Sequence, residues 1–219
     1  ANWSIDRMGM PLSRVRYIPN FVVDHRSDSL CDIPGLKGFR IVNVANLRPQ
    51  KDHLTLIRAM ESVVTHEPRA HLLLLGSDID QETSAKVFNE IESRKLSSNV
   101  TWLGSRSDVQ DILSQCDIGV ISSISEGLPL ALLEYGLAGL SVVSTSVGEC
   151  PTVLDSGRCG ILVPPQSPER LSEAILSCID SPSRAREMSQ RFTERVKSVY
   201  SADPILDQVE EVYESILND

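Results

Sequence analysis

The feature that most constrains this chain is a regular alternation of short apolar runs with helix-forming segments, which begins at Phe39. The apolar runs that we predict to be strands are 40–45, 71–75, 100–103, 117–122, 141–145 and 160–163. Strands that alternate with helices favour a parallel sheet, because a parallel neighbour is reached only through a crossover. The sequence therefore predicts an α/β fold, a Rossmann-like doubly wound parallel sheet with helices on both faces.

Helices are predicted between these strands and in a C-terminal helical tail. Their ranges are 52–66, 81–95, 108–115, 129–138, 150–154, 168–180, 183–200 and 204–217. We expect a linker over 1–38, in which 17–20 ends a strand, and a Rossmann-like domain over 39–182. The helices of 183–219 are expected to pack on that domain or to cross back to another one.

Composition and residue spacing exclude several classes of function. The 219-residue chain has a net charge of −9 and no basic run, which argues against a nucleic-acid partner because phosphate neutralisation needs clustered cations. It contains no apolar run long enough to cross a membrane. Five cysteines without CxxC spacing favour free thiols in a reducing compartment, and four histidines lack metal-ligand spacing. No Gly-x-Gly-x-x-Gly follows the first strand, which argues against a nicotinamide cofactor.

The fourth predicted strand leads into a helix through Ser-Glu-Gly-Leu-Pro-Leu, residues 125–130. Such a helix start favours phosphate binding, because its first N–H groups lack partners and the helix dipole is positive there. Glu126 lies in the loop and Glu134 about a turn and a half inside the helix, roughly 12 Å away along its axis. This reach suits a sugar and a ribose at the two ends of a diphosphate. Alternatively, Glu126 is a helix-start acid and Glu134 the partner of an arginine or lysine.

Two further loops follow predicted strands at the same edge of the sheet. Arg48 and Lys51 come after the first strand and are suited to neutralise a diphosphate, although solvated loop cations would give the same pattern. Gly104 and Arg106 come after the third strand, where they line a nucleobase or belong to a plain turn. The spacing leaves both alternatives open for each loop.

Four stretches in their order resemble the donor-binding half of retaining GT-B glycosyltransferases, the group with a Glu-x7-Glu motif. They are Tyr-Ile-Pro-Asn at 17–20, Val-Ala-Asn-Leu-Arg-Pro-Gln-Lys-Asp-His at 44–53, Ser-Glu-Gly-Leu-Pro-Leu-Ala-Leu-Leu-Glu at 125–134 and Gly-Arg-Cys-Gly-Ile-Leu-Val at 157–163. The resemblance extends from about Tyr17 to about Asp180. It implies transfer of a sugar, with retention, from a nucleoside-diphosphate sugar to a glycan or lipid-linked acceptor, in surface polysaccharide synthesis.

The resemblance also implies roles for single residues. Glu126 would contact donor-sugar hydroxyls, Glu134 the ribose, and Lys51 the leaving diphosphate. The family commonly has an arginine at the position of Asn46, so Arg48, two residues later, would supply that charge. Backbone N–H groups of Gly127, Leu128 and Leu130 would hold phosphate oxygens. The reaction would need no metal or other cofactor, because fixed cations and the helix start stabilise the leaving group.

Enzymes of this group have two such domains, and the N-terminal one binds the acceptor. One sheet is predicted here and the chain opens on Ala1, so we expect a segment of a longer protein that is inactive alone. The expected location is the cytoplasm, with attachment at the inner face of the membrane left open. Two alternatives remain: a nucleotide-sugar 2-epimerase-like domain, and a non-catalytic nucleotide-binding or interaction module.

Overall fold

The computed structural model describes residues 9, 11, 15–27 and 30–217. Its strands are β1 (Arg40–Val44), β2 (His71–Leu75), β3 (Val100–Gly104), β4 (Ile118–Ile121), β5 (Ser141–Thr145) and β6 (Ile161–Val163). Its helices are α1 (His53–His66), α2 (Gln81–Ser93), α3 (Val109–Leu113), α4 (Leu130–Ala138), α5 (Cys150–Val153), α6 (Pro168–Asp180), α7 (Pro182–Val199) and α8 (Ala202–Leu217). These bounds confirm the predicted strands from 40 onward and the predicted helices.

The six strands form one parallel sheet in the order β3-β2-β1-β4-β5-β6. The chain moves outward from β1 to β3 and then returns to place β4 on the other side of β1. This reversal makes the gap between β1 and β4 a topological switch point, where ligands of such sheets bind beyond the carboxyl ends. The predicted Rossmann-like doubly wound fold is confirmed.

Alternate residues of the central strands face two separate apolar layers. Ile41 of β1 and Leu72 of β2 pack with α1, α2 and α6, whereas Val42 and Leu73 pack with α3, α4 and α7. The strands are thus apolar on both sides, as expected for a parallel sheet covered by helices. The last helix, α8, buries Ile205.

The N-terminal segment contains no strand at 17–20, so the prediction that a strand ends there is wrong. Beyond it, the Val22 N–H donates to the carbonyl of Tyr200, at the end of α7, at 3.0 Å. Closer to β1, the Arg40 guanidinium donates to the carbonyls of 33–35 and fixes the chain where it enters the sheet. Residues 1–8, 10, 12–14 and 28–29 of the expected linker lie outside the described residues.

Two local features at the carboxyl edge differ from the expectation. Pro49–Lys51 forms a 3₁₀ turn, after which Asp52 adopts φ 47° and caps α1 by accepting the Thr55 N–H. At the other helix start, Pro129 precedes α4, which begins at Leu130. Glu134 therefore lies about one turn into the helix, closer to the loop than predicted.

Candidate functional site

A cavity of about 400 Å³ opens between the carboxyl ends of β1 and β4. We call it the crevice. Its walls come from the ends of β1, β2 and β4, from the loops after β1 and β4, and from the first turns of α4. The residues that line it are Asn43, Val44, Ala45, Asn46, Arg48, Lys51, Leu75, Gly76, Val109, Ile121, Ser123, Glu126, Pro129, Leu130, Ala131 and Glu134.

One wall is the loop after β1, which carries the two predicted cations. Arg48 is exposed and forms no ion pair or side-chain hydrogen bond with any described residue. The Asn46 side chain accepts the Ser77 N–H at 2.8 Å and so ties this loop to the one after β2. The cation from Arg48 is therefore available to a ligand, while Asn46 has a backbone partner.

The opposite wall carries Glu126, whose carboxylate reaches across the crevice. Its Oε1 lies 2.6 Å from Lys51 Nζ and accepts the Ser123 hydroxyl at 2.6 Å. The side chain of Glu126 is 8% exposed and that of Lys51 is 23% exposed, so water screens this pair only in part. Lys51 and Glu126 thus contact each other inside the crevice, a pairing that the sequence analysis did not predict.

Backbone contacts hold the two walls at a fixed distance. Ile124 N–H donates to the Gln50 carbonyl at 2.9 Å, and the Ser122 hydroxyl donates to the Lys51 carbonyl at 2.8 Å. Gly148, in the loop after β5, approaches the backbone of Glu126 so closely that a Cβ at Gly148 would lie 2.1 Å from the Glu126 carbonyl oxygen. The Lys51–Glu126 geometry is therefore built into the backbone.

Glu134 faces the crevice from α4 without a protein partner. No described residue donates a hydrogen bond to its carboxylate or forms an ion pair with it. Burial raises the pKa of Glu134 above its ordinary value, because the charged form loses hydration. The predicted alternative, an arginine or lysine partner, is absent from the described part of the chain.

The start of α4 presents free backbone donors to the crevice. Pro129 precedes the helix and offers no side-chain cap; its carbonyl accepts the Leu132 N–H at 3.1 Å, whereas the N–H groups of Leu130 and Ala131 have no hydrogen-bond partner among the described residues. Leu130 lines the crevice and is half-exposed, whereas Gly127 and Leu128 lie beside it in the loop. The Gly127 carbonyl accepts the Glu149 N–H at 3.0 Å, which fixes the loop.

The structure places Gly104 and Arg106 outside the crevice lining. The Gly104 carbonyl accepts the Gly76 N–H at 2.9 Å, which connects it to the crevice only through Gly76. The Arg106 guanidinium lies 2.5 Å from Asp108, and this contact lowers the pKa of the Asp108 carboxyl. A nucleobase role for Arg106 would require this pair to open.

Three polar side chains in or next to the crevice were not predicted. Ser123 supports Glu126, Asn43 lines the crevice, and Tyr135 contacts its wall through the Val44 N–H; Asn43 and Tyr135 both donate to the Val120 carbonyl. Asn43 is a polar residue inside an apolar strand, a signal that could have marked it. The position of the Tyr135 hydroxyl depends on how α4 packs over the sheet, which the sequence does not reveal.

These groups can bind an elongated anion that carries hydroxyls. Two cations and a helix start favour phosphate oxygens, and two carboxylates can accept hydrogen bonds from hydroxyl groups. Among the described residues, no three histidine, cysteine or acidic side chains are placed to hold a metal ion, and the five cysteines are free. No helix in the described ranges is long and apolar enough to span a membrane.

A sequence profile of the family described as "Glycosyl transferases group 1" matches residues 34–198, more than half of the chain. This chain belongs to that family. It is 25% identical over 179 residues to N-acetyl-alpha-D-glucosaminyl L-malate synthase of Bacillus anthracis. The match covers 82% of this chain and 46% of the Bacillus protein, so the chain spans less than half the length of that relative.

Solved structures show the same fold. The family member superposes on Anabaena HepE, crystallised with UDP and glucose, with a TM-score of 0.78 and 22% identity, over 82% of this chain and 49% of HepE. It also matches the C-terminal domain of the Francisella tularensis glycosyl transferase LpcC, with a TM-score of 0.69 and 20% identity, over 77% of this chain and 88% of that domain. The resemblance to GT-B glycosyltransferases is thus confirmed, in family by the profile match and in fold by these structures.

Proposed function

We propose that this chain is the donor-binding half of a retaining glycosyltransferase that uses a nucleoside-diphosphate sugar. The observation that carries the proposal is the meeting of Lys51 with Glu126 at one end of a crevice whose other end holds the unpartnered Glu134. Phosphate ligands, sugar hydroxyls and a ribose diol would each find a matching group along this line. The family membership favours transfer over 2-epimerisation.

Each end of the crevice has its own task in this proposal. Lys51 and Arg48 bind the diphosphate together with the free N–H groups at the start of α4. Glu126 accepts hydrogen bonds from donor-sugar hydroxyls, and Glu134 accepts them from the ribose. As the bond to the sugar breaks, the two cations stabilise the charge that develops on the leaving diphosphate. This arrangement supports a reaction that needs no metal ion.

The acceptor is proposed to bind a second domain. HepE and the Bacillus relative are each about twice as long as their matched region, which leaves room for one. On this basis we assign 39–182 to donor binding and propose a glycan or lipid-linked acceptor of a surface polysaccharide, reached from the cytoplasm or the inner membrane face. Addition of a chelator to the full-length enzyme with donor and acceptor should leave its rate unchanged.

Calorimetric titration of this chain with UDP, GDP and ADP tests donor binding. We expect one nucleotide to bind best and Glu134→Ala to weaken it at least tenfold, about 1.4 kcal/mol, because the ribose contact is lost. Glu210→Ala, at an exposed position of α8, is the matched control and should bind as wild type does. Unchanged affinity in Glu134→Ala would contradict the ribose assignment, and no binding by wild type would favour a non-catalytic module.

A further inference from the structure

A tyrosine side chain interrupts the sheet at the point where the crevice opens. The last paired residues of β1 and β4 are Val42 and Gly119, and no later pair forms between these two strands. In a parallel ladder with this register, the next hydrogen bond would join Val44 N–H to the Val120 carbonyl. That bond is absent between the two strands, although both are described throughout their length.

The Tyr135 hydroxyl occupies the position of the absent bond. Its oxygen accepts the Val44 N–H at 2.7 Å and lies 3.4 Å from the Val120 carbonyl, to which it donates. The side chain is fully buried, so bulk water does not compete for either strand. One hydroxyl therefore bridges two strands that have moved too far apart to bond directly.

Gly119 provides the room for this bridge. A Cβ at Gly119 would lie 2.5 Å from the Tyr135 ring, closer than packed atoms can approach. The ring thus lies against bare backbone of β4, and its hydroxyl reaches the end of β1. The separation of β1 and β4 at this point therefore follows from the size of the Tyr135 side chain and from the absence of a side chain at Gly119.

We propose that Tyr135 is a positioning residue of the crevice. Val44 lines the crevice and leads into the loop that carries Arg48 and Lys51, while Tyr135 follows Glu134 directly on α4. The hydroxyl therefore fixes the cationic wall relative to the helix that carries the ribose-binding carboxylate. This inference rests on the proposed function for its effect on nucleotide affinity, whereas the bridge itself does not depend on any ligand.

Asn43 supports the same junction from β1. Its Nδ2 donates to the Val120 carbonyl at 2.9 Å, while its buried Oδ1 has no hydrogen-bond partner among the described residues. Since Val120 keeps this donor when the phenol is lost, the group left unpaired by Tyr135→Phe is the Val44 N–H. The substitution Tyr135→Phe therefore removes a hydrogen-bond partner only from the end of β1.

Tyr135→Phe tests the proposal because it keeps the ring and removes only the hydroxyl. Amide hydrogen exchange without ligand should become at least about tenfold faster at Val44, since its N–H loses a buried partner. The affinity for the best nucleotide should fall about threefold to tenfold at a temperature where both proteins are folded. Tyr200→Phe makes the same change at a buried tyrosine outside the crevice and should alter neither quantity.

The outcomes separate this proposal from the proposed function. Tyr135 does not position the crevice if the exchange rate of the Val44 amide is unchanged in Tyr135→Phe. The same holds if that rate rises while the nucleotide affinity stays unchanged. Absence of nucleotide binding by wild type would instead overturn the proposed function, and the exchange data would still decide whether the bridge exists. Should Tyr135→Phe fail to fold, wild-type exchange remains decisive: the bridge requires Val44 to exchange as slowly as the paired Val42, and exchange as fast as that of exposed Asn46 would refute it.

Discussion

The Lys51 ammonium and the Glu126 carboxylate lie 2.6 Å apart and join loops that are 75 residues apart in sequence. Within the crevice, the cation assigned to phosphate and the acid assigned to the sugar therefore neutralise each other. A nucleotide-sugar would have to replace this contact at both ends, with phosphate oxygens for Lys51 and hydroxyls for Glu126. The pair predicts different responses to a nucleotide with and without its sugar.

Glu126→Gln should bind the nucleoside diphosphate more tightly than wild type, by about threefold to tenfold, because Lys51 no longer has a competing carboxylate. The same variant should lose transfer activity in the full-length enzyme. Calorimetry with the sugar-free nucleotide measures the first effect. Glu149→Gln removes an equal charge at a neighbouring helix start and is the control; a gain of the same size in that variant would mean that only net charge matters.

Glu134→Gln should stabilise the chain at neutral pH. Because burial raises the pKa of Glu134, the folded state binds its proton more tightly than the unfolded state, and the stability this provides is lost as pH rises above the ordinary value of 4.5. The carboxyl is partly solvated, so we expect a gain of about 0.5 kcal/mol in the free energy of unfolding. Urea unfolding from acid to neutral pH should show a flatter decline in the variant; parallel curves would contradict the assignment.

His53→Phe should remove a different pH dependence. Burial lowers the pKa of His53 to about 4, despite the neighbouring Ala45 backbone, and neither ring nitrogen has a hydrogen-bond partner in the described chain. Its unfolded form takes up a proton near 6.5, so wild type should lose stability, on the order of 3 kcal/mol, as pH falls from there through 4. Thermal unfolding over this interval should show a smaller loss in the variant; His25→Phe, at an exposed position, is the control and should lose as much stability as wild type.

Gly148→Ala should damage both stability and nucleotide binding. The residue has φ 53°, and its new Cβ would collide with the Glu126 carbonyl, so we expect a loss of at least about 3 kcal/mol and weaker nucleotide binding. Gly139→Ala is the matched control, with φ 76° and no atom closer than 4.0 Å, and should cost about 1 kcal/mol. Equal losses in denaturant unfolding would show that backbone strain alone accounts for the effect.

The sheet and its helices could be predicted because their signals are local. The run Leu72–Leu75 is apolar throughout, and these residues of β2 are buried on both faces as such a run predicts. The helix predicted over 52–66 is α1, which begins after the capping residue Asp52. The segment at 17–20 forms no strand; the nearby Val22 N–H donates to Tyr200 at the end of α7, a long-range contact that no local signal indicates.

For the site, the sequence predicts which loops lie together, because the order of strands in the fold decides that placement. Lys51 and Glu126 lie in the loops that follow β1 and β4, and these strands are parallel neighbours, so both loops lie at the same edge of the sheet. The Arg106–Asp108 pair and the Tyr135 bridge depend on side-chain rotamers and on the exact packing of α4, which no spacing rule contains. The role of Gly119, which leaves room for the Tyr135 ring, can be recognised only from the structure.

Helices α6 and α7 contribute no described residue to the crevice, yet α6 lies on α1 and α7 on α4. The two helices pack on opposite faces of the sheet, and each covers a helix that borders the crevice or its loops. A chain shortened to end after β6 would retain every group that we assign to the donor. It would also expose the apolar sides of α1 and α4 to water, and we expect it to aggregate before it could bind anything.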